Sequence, residues 1–535
     1  MMTYDAIVVG AGHNGLTTAC FLAKAGLRTL IIEKNDYVGG AAVSLSLTPG
    51  WTYSNCSYVC SLLRPEIIRA LELPKYGLQV IPYEGGATFN SEGEYFNYSS
   101  DWEQLRREFA RHDPADAEGY QQFSLAVSRQ CKFIKPLLMR MAPDPTSFNP
   151  RDIGELLYLG KRFHDLGERE MAETVRFWTM SVAEYLDQYI KSNMAKAHIA
   201  GSGIIGTGLG PYSPGTAYVL LHHYMGEVDG EIGAWGFARG GMGSITKAMA
   251  ASFEASGGVI KKGSGVEQFI TRDGRIAGVA LENGDEHYAE TVVSGMDVRR
   301  TFLNHMDEKE LPTDFIKGVK RYRFRGSSGK LNIALDGMPT FNGVSPTSNC
   351  LRGDLHFMDD MAFIERAYDD WKEGRWSAEP YVDFLIPTQI DPTMAPPGKH
   401  YATVFVQYVP YELADGPWDD EKREAFAESV ISKIAESSPD FRDLIVHKEV
   451  RTPLDIENEV GLSEGNIFMG ELTFDQLLFN RPVPGYAQYR SPIKGLYMCG
   501  SSTHPGGGVM GAPGANAARE ILRDKGRKLD LGAAA

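Results

Sequence analysis

Cysteine is scarce in this chain, and the few cysteines show no metal-binding or redox spacing. Six occur among 535 residues, at Cys20, Cys56, Cys60, Cys131, Cys350 and Cys499. None belongs to a C-x-x-C pair or to the ligand spacing of a zinc site. The sequence therefore predicts free thiols and no metal site, as is usual in a reducing compartment. A redox pair of Cys56 and Cys60, four residues apart, is the alternative.

Positive charge and long hydrophobic runs are also lacking. Lys and Arg number 54 against 69 Asp and Glu, so the formal net charge is −15 at pH 7. Negative charge argues against nucleic acid as a partner and against broad attachment to anionic lipid. No run of 18 apolar residues occurs, and the first predicted strand begins too early for a signal peptide. We predict a cytoplasmic protein and leave peripheral membrane contact open.

The stretch from residue 4 to residue 33 predicts a dinucleotide-binding β-α-β unit. After a β-branched strand, Gly10, Gly12 and Gly15 form G-x-G-x-x-G, followed by an apolar-periodic helix and a second buried strand. Gly10 permits the tight turn, Gly12 lets a pyrophosphate approach the backbone, and Gly15 lets the helix pack against the strand. Glu33, at the end of the second strand, is placed to bind ribose hydroxyls. This motif alone fits either FAD or NAD(P).

A second glycine-rich segment lies near the end of the chain. The strand at 496–498 precedes a loop with six glycines between residues 500 and 514, and a helix is expected from about Gly514. Such a loop allows close backbone approach to a flat ligand. The helix N-terminus can stabilise negative charge on a reduced flavin. The segment favours FAD, because it supplies a site for the flavin end that an NAD(P) site would not need.

The middle of the chain alternates helical and strand-like patterns. Residues 101–200 predict helices whose apolar faces form either core or the lid of an apolar substrate channel. Gly201, Gly203 and Gly206 repeat the glycine spacing, but no strand precedes them, so residues 201–210 are predicted to be a flexible loop. Residues 301–484 predict a mixed α+β domain.

Three sequence blocks together resemble the phytoene desaturase-like FAD-dependent oxidoreductases, which belong to the superfamily of flavin-containing amine oxidases and glutathione-reductase-type proteins. The blocks are GAGHNGL with the later Glu33 and Gly39-Gly40, RGGMGSITKAMA with VVSGMD, and GLYMCGSSTHPGGGVMGAPG. Residues 452–485 resemble the subgroup of the pyridine nucleotide-disulfide oxidoreductase domain-containing protein 2 and the carotenoid-ketolase-like desaturases. The resemblance covers nearly the whole chain, and THPGGG is its most specific element.

This resemblance implies FAD bound in an extended form. The implied contacts are Gly10, Gly12, Asn14 and Gly15 at the pyrophosphate, Glu33 and Lys34 at the adenosine ribose, Val266 at the adenine, Gly39, Gly40 and Ala41 near the phosphates, and Gly500, Ser501, Gly508, Met510, Gly511 and Ala512 along the ribityl chain and flavin. Two positions depart from many relatives, which carry arginine where this chain has Ala41 and an acid where it has Ser501.

The implied fold class is α/β, with a discontinuous Rossmann-like FAD-binding domain and an inserted mixed α+β substrate domain. We predict the FAD-binding domain from residues 1–85, 225–300 and 485–535. The substrate-binding domain, with a helical lid region, takes residues 86–224 and 301–484. No NAD(P)H domain and no redox-active cysteine pair on the first helix is evident, so disulfide reduction is not expected.

The implied activity is oxidation of a small, largely apolar and isoprenoid-like substrate. Hydride would pass from a substrate C–H to flavin N5, and oxygen or a quinone would reoxidise the flavin. His504, Arg239 and Glu471 are the catalytic candidates, whereas His222 and His223 fit a structural role. Three alternatives stay open: a redox-neutral double-bond isomerase, an amine oxidase, and a non-catalytic lipid- or partner-binding protein such as the Rab GDP-dissociation inhibitors.

Overall fold

Two large sheets organise the chain, one parallel with five strands and one mixed with seven. The computed structural model describes residues 4–46 and 48–531. The strands in chain order are β1 (Ala6–Val9), β2 (Thr29–Ile32), β3 (Ser44–Leu45), β4 (Tyr53–Ser54), β5 (Val80–Pro82), β6 (Gly85–Phe89), β7 (Tyr95–Ser99), β8 (Glu227–Val228), β9 (Glu231–Ile232), β10 (Gly236–Ala238), β11 (Val259–Lys261), β12 (Val266–Arg272), β13 (Arg275–Leu281), β14 (Glu286–Tyr288), β15 (Val292–Ser294), β16 (Ser328–Leu335), β17 (Asp354–Phe357), β18 (Tyr381–Leu385), β19 (His400–Gln407), β20 (Ile445–Arg451) and β21 (Leu496–Met498).

Helices cover or connect these sheets. They are α1 (His13–Lys24), α2 (Pro65–Ala70), α3 (Trp102–His112), α4 (Asp116–Leu138), α5 (Pro150–Thr179), α6 (Val182–Leu186), α7 (Asn193–Ala200), α8 (Thr216–Tyr224), α9 (Gly243–Ala255), α10 (Thr313–Arg321), α11 (Met361–Lys372), α12 (Asp420–Ser437), α13 (Pro453–Val460) and α14 (Ala512–Asp524). Among the described residues, no helix is both long and apolar enough to cross a membrane.

The parallel sheet has the order β11-β2-β1-β15-β21 and is covered differently on its two faces. Because successive side chains of a strand point to opposite faces, Val8 packs among residues of α1, α9 and α14. Its neighbours Ile7 and Val9 pack against the antiparallel meander β12-β13-β14. This three-layer arrangement confirms the predicted Rossmann-like α/β class.

The mixed sheet has the order β20-β16-β19-β18-β17-β6-β7, and only β17 and β6 pair in parallel. Leu331 and Ile333 of β16 join an apolar cluster that includes α12 residues such as Phe426. Their neighbours Lys330 and Asn332 point to the opposite face, toward the segment that includes β4. One face of this sheet is thus apolar and covered by a helix, and the other carries buried polar side chains.

Helices α3–α8 pack with one another into the largest apolar cluster. α5 is broken at Gly167, where φ is +78°, and α6 restarts after a capping box between Ser181 and Glu184. The prediction of a flexible loop at residues 201–210 is wrong, because this segment is irregular but mostly buried. A Cβ at Gly201 would lie 2.3 Å from the Tyr381 hydroxyl, so this glycine serves close packing.

Candidate functional site

The N-terminal glycines build a cradle between β1 and α1. Gly10 has φ +94°, and a Cβ at Gly15 would lie 2.2 Å from the Gly10 carbonyl oxygen, so the helix packs directly on the turn. No atom lies within 4 Å of a Cβ built on Gly12. The Gly39 N–H donates to the carbonyl of Ala11 at 3.0 Å, and Gly40 lies beside Gly12. The glycine motif and the Gly39-Gly40 pair therefore border one space.

Glu33 is buried at one side of this space. One carboxylate oxygen accepts the Ala11 N–H at 2.7 Å, and the other accepts the Asn35 N–H at 3.0 Å. The Ser264 N–H donates to the Glu33 carbonyl, which brings the start of β12, at Val266, to the same place. The Lys34 side chain donates instead to the carbonyl of Asn458 in α13.

The C-terminal glycine loop closes the other side. Asn14 Nδ2 donates to Ser501 Oγ at 3.1 Å. A Cβ at Gly514 would lie 2.3 Å from the Asn14 carbonyl oxygen, so α14 packs tightly against α1. Met510 and Ala512 are buried against Leu62. The two predicted halves of the cofactor site, almost 500 residues apart in sequence, are in direct contact.

Unpartnered polar atoms in this region test whether the residues fit FAD. His13 Nε2, Asn14 Oδ1 and Ser57 Oγ are buried and have no hydrogen-bond partner among the described residues. Buried polar groups normally have partners, so these atoms indicate a polar ligand. Together with the open space at Gly12 and the N-terminus of α1, they fit a bound dinucleotide.

Replacing Gly12 with alanine should separate FAD binding from folding. The φ of Gly12 is −71°, and its side is open, so alanine should leave the thermal midpoint unchanged. The methyl group would instead occupy the space for the pyrophosphate. We therefore expect the affinity for FAD to fall about 100-fold, which corresponds to about 3 kcal/mol of binding free energy. In contrast, Gly15→Ala should destabilise the protein itself. Fluorescence titration of the apoprotein with FAD and thermal unfolding measure both effects; equal loss of stability in the two variants would contradict the expectation.

A cavity of about 950 Å³ adjoins the cofactor cradle. His13, Ala41 and Gly508 line its cradle end. Its other walls come mainly from α4 and from the polar face of the mixed sheet, and they include apolar side chains such as Leu105, Val127, Ile205 and Phe468. The cavity therefore connects the cofactor site with the interior of the substrate domain.

The polar face of the mixed sheet forms the floor of this cavity. Across neighbouring strands, Lys330 lies opposite Phe405, Phe405 opposite Asp383, Asp383 opposite His356, and His356 opposite Thr88. The first four of these residues line the cavity. Since strands are about 4.8 Å apart, Lys330 and Asp383 are separated by about 10 Å along the floor.

Lys330 is the charged group of the floor nearest the cofactor cradle. Its Nζ is buried and donates to the carbonyls of Ser54 and Cys56. The adjacent Ser57 N–H donates to the carbonyl of Ala41, a predicted contact near the FAD phosphates, at 3.0 Å. Burial lowers the pKa of Lys330 to about 7. The amine can therefore exist in its neutral form near neutral pH, as a general base requires.

The far end of the floor carries two carboxylates and several histidines. Asp383 Oδ2 accepts the Tyr58 hydroxyl at 2.6 Å, and burial raises the pKa of Asp383 well above its usual value, with a further rise from nearby Asp354. His356 lies between these two carboxylates. The His198 ring meets the His356 ring edge to face, with centroids 5.3 Å apart, and hydrogen-bonds Thr88 Oγ1 at 2.9 Å.

The structure places none of the three predicted catalytic residues on the cavity lining. His504 Nε2 donates to the carbonyl of Leu137 at 3.0 Å, and burial lowers its pKa to about 4. Arg239 is exposed and donates to the Gln79 side chain. Glu471 is fully buried, but it forms ion pairs with Arg323 and Arg325. His504 and Glu471 thus support neighbouring loops, and we propose no proton transfer at any of the three.

Sequence reasoning missed Lys330, Asp383 and His356. Their segments do carry a signal, since K-L-N-I in β16, D-L-H-F in β17 and Y-V-D-F in β18 alternate polar and apolar residues. That alternation predicts a sheet with one polar face, which in antiparallel sheets usually faces water. Here the polar face is buried under the cofactor domain and the helical region.

Comparison with known proteins places this site in a family. The model of the family described as "Flavin containing amine oxidoreductase" matches residues 15–522 of this chain. The chain is 35% identical to the pyridine nucleotide-disulfide oxidoreductase domain-containing protein 2 of Rattus norvegicus, over 97% of this chain and 94% of that protein.

More distant relatives differ in the reaction that their names state. A component of the limonene dehydrogenase of Castellaniella defragrans is 24% identical over 98% of this chain and 95% of its own length. Prolycopene isomerase 2 of an Oncidium hybrid cultivar is 26% identical over 98% of this chain and 84% of its own length.

The fold also matches solved structures. A putrescine oxidase double mutant superposes with a TM-score of 0.60 at 16% identity, covering 98% of this chain and 99% of that one. This likeness concerns the fold alone. The family match spans nearly all of the described chain, from Gly15 of the cradle through the cavity floor to the C-terminal loop. The protein therefore belongs to the flavin-containing amine oxidoreductase family and is an FAD-dependent oxidoreductase.

Proposed function

We propose that this oxidoreductase is a dehydrogenase, desaturase or oxidase acting on a largely apolar organic substrate. The observation that carries the proposal is the cavity of about 950 Å³ that opens on the FAD cradle and is lined there by Ala41 and Gly508. Its volume suits a small organic molecule, and side chains such as Leu62, Leu105 and Val127 give it apolar walls. FAD, when bound, supplies the acceptor for a hydride from a substrate C–H.

Lys330 is proposed to accept the proton that leaves with that hydride. Formation of a double bond releases a hydride from one carbon and a proton from its neighbour. The carbonyls of Ser54 and Cys56 hold Lys330 Nζ at the cofactor end of the cavity floor. No carboxylate pairs with this amine among the described residues, and nearby Arg451 adds to the lowering of its pKa by burial.

The side chains around Lys330 are proposed to exclude water and orient the substrate. Tyr58 and Phe405 stack with ring centroids 5.6 Å apart, and both line the cavity. Lys330 Nζ lies 5.5 Å from the centre of the Tyr58 ring. An aromatic surface beside the base suits a flat or unsaturated substrate, because it offers dispersion contacts without competing hydrogen bonds.

Redox-neutral double-bond isomerisation is the second candidate. It is favoured by the similar identity of this chain to a protein named prolycopene isomerase and to one named as part of a limonene dehydrogenase. The cavity and Lys330 suit both reactions, since each requires proton movement beside the flavin.

Anaerobic mixing with a panel of terpenoid and amine substrates tests the proposal. We expect a true substrate to bleach the oxidised-flavin absorption band and to give a product lighter by two hydrogens. A product of unchanged mass, formed only with reduced flavin, would establish isomerisation instead. Reoxidation by oxygen and by a soluble quinone, measured after the same mixing, would identify the electron acceptor. Absence of a flavin spectrum after addition of FAD would overturn both candidates.

A further inference from the structure

Three side chains at the far end of the cavity floor face one another without forming hydrogen bonds. Asp354 and His356 stand two residues apart on β17 and so share one face, and Asp383 lies opposite His356 on β18. His356 Nε2 is 3.7 Å from Asp354 Oδ2 and 3.7 Å from Asp383 Oδ1. These distances exceed the range of about 2.7–3.2 Å for a hydrogen bond from nitrogen to oxygen.

The same distances suit three ligands of one metal ion. One donor atom from each residue lies within 4.8 Å of the other two. A point equidistant from the three atoms is about 2.4 Å or less from each, close to the Zn–N and Zn–O distances of about 2.0–2.2 Å. A contraction of a few tenths of an ångström would complete the coordination.

Charge provides an independent argument for a cation. Asp354 and Asp383 have no lysine or arginine partner within the part of the chain that the structure describes, and His356 is their shared neighbour. Asp383 is buried, and a buried carboxylate normally pairs with a cation or binds a metal, because burial of an isolated charge is costly. Lys330, about 10 Å from Asp383 along the floor, is too distant to supply that charge.

An unsatisfied carboxylate oxygen points to the same place. Asp383 Oδ1 is buried without a hydrogen-bond partner among the described residues, and both Asp383 and His356 are more than nine-tenths buried. The other carboxylate oxygen of Asp383 is held by the Tyr58 hydroxyl at 2.6 Å, which orients Oδ1 toward His356. Such an outer hydrogen bond is typical of metal-binding carboxylates.

We propose that Asp354, His356 and Asp383 form a binding site for one divalent transition-metal ion, Zn²⁺ or Mn²⁺. Two carboxylates and one imidazole leave at least one coordination position open. All three residues line the cavity, so that position faces the substrate space. The ion would bind an oxygen or nitrogen group of the substrate, or water, at a distance from the flavin end. Tyr83, which also lines the cavity with an unpartnered hydroxyl, is placed to hydrogen-bond the same group.

Sequence spacing could not reveal this site. His356 and Asp383 belong to different strands, and they meet only through the antiparallel pairing of β17 and β18. The prediction of no metal site relied on cysteine spacing, which does not report on donors of this kind.

Metal analysis of the FAD-loaded full chain tests the proposal. After chelator treatment and dialysis, the protein is titrated with Zn²⁺ or with Mn²⁺ by calorimetry, and bound metal is counted by mass spectrometry against bound FAD. We expect about one ion per FAD. Asp383→Asn and His356→Ala should each weaken ion binding by at least about 100-fold while FAD content stays unchanged.

A matched histidine variant separates ligation from packing. His223 also lines the cavity and is buried, but its Nδ1 donates to the carbonyl of Val219 at 2.9 Å. His223→Ala should therefore keep the metal. If the buried variants fail to fold, Asp354→Asn serves instead, because this side chain is one-third exposed. Equal metal binding by the wild type and the ligand variants, or no binding of either ion by the wild type, would overturn the proposal.

Discussion

Lys330→Met is expected to slow anaerobic flavin reduction by about 10²- to 10⁴-fold, the usual contribution of a general base, while the protein keeps its FAD. Methionine retains the length and apolar stem of lysine but cannot accept a proton. The Lys330 side chain contacts the carbonyl of Cys56, next to Ser57, which bonds Ala41 at the edge of the cradle, so Lys330 itself lies outside the cradle. Cofactor binding should therefore be nearly unchanged. Stopped-flow measurement of the oxidised-flavin band with saturating substrate gives the reduction rate.

The rate of reduction should also rise with pH around neutrality in the wild type. Burial lowers the pKa of Lys330 from its usual 10.5 to about 7, so the neutral amine becomes the major form above that pH. We expect the rate to increase between about pH 6 and pH 8 and then to level off, because only the neutral amine accepts a proton. The Lys330→Met variant should lose this dependence.

Lys132 provides the matched control. It is the second lysine on the cavity lining, but it is exposed and lies on α4. Lys132→Met should leave both the reduction rate and its pH profile unchanged. Identical slowing in both variants, or a reduction rate for Lys330→Met within about twofold of the wild type, would exclude Lys330 as the base.

Arg481→Met is expected to destabilise the protein by about 3–5 kcal/mol, because it leaves several buried carbonyl acceptors without a donor. Arg481 is fully buried, and backbone acceptors surround its guanidinium. The guanidinium donates to five carbonyl oxygens, those of Phe468, Gly470, Glu471, Gln476 and Ser501. Methionine would leave these acceptors buried without a donor, which is costly for each of them.

This arginine also links the substrate domain to the flavin loop. The Ser501 carbonyl accepts from both Nε, at 3.0 Å, and Nη2, at 2.7 Å. We therefore expect Arg481→Met to weaken FAD retention together with stability, which thermal unfolding and FAD release on dilution can measure. Arg239→Met is the control, since Arg239 is exposed. A similar loss in both variants would contradict a special role for Arg481.

The sequence indicates which residues border the cofactor cradle, but not which polar side chains line the cavity. Gly10, Gly12, Gly15 and Glu33 lie within one β-α-β unit, where local spacing dictates three-dimensional spacing. His504 is a catalytic candidate in the sequence because it stands in the C-terminal loop beside glycines that are predicted to bind the flavin. Neighbourhood in sequence did not determine where its ring points, and the ring turns to the Leu137 carbonyl of α4.

The sequence by itself determined the cofactor class and the parallel sheet that positions it, because both follow from short, contiguous patterns of glycines, buried strands and helix starts. Only the tertiary structure decided which polar side chains meet in the cavity. Lys330, Asp383 and His356 come from three strands and share a row through strand register, which pairs residues 22 to 75 positions apart. Their chemistry arises from burial, since a polar face that would be solvated in an open sheet is covered here by the FAD-binding domain and α4.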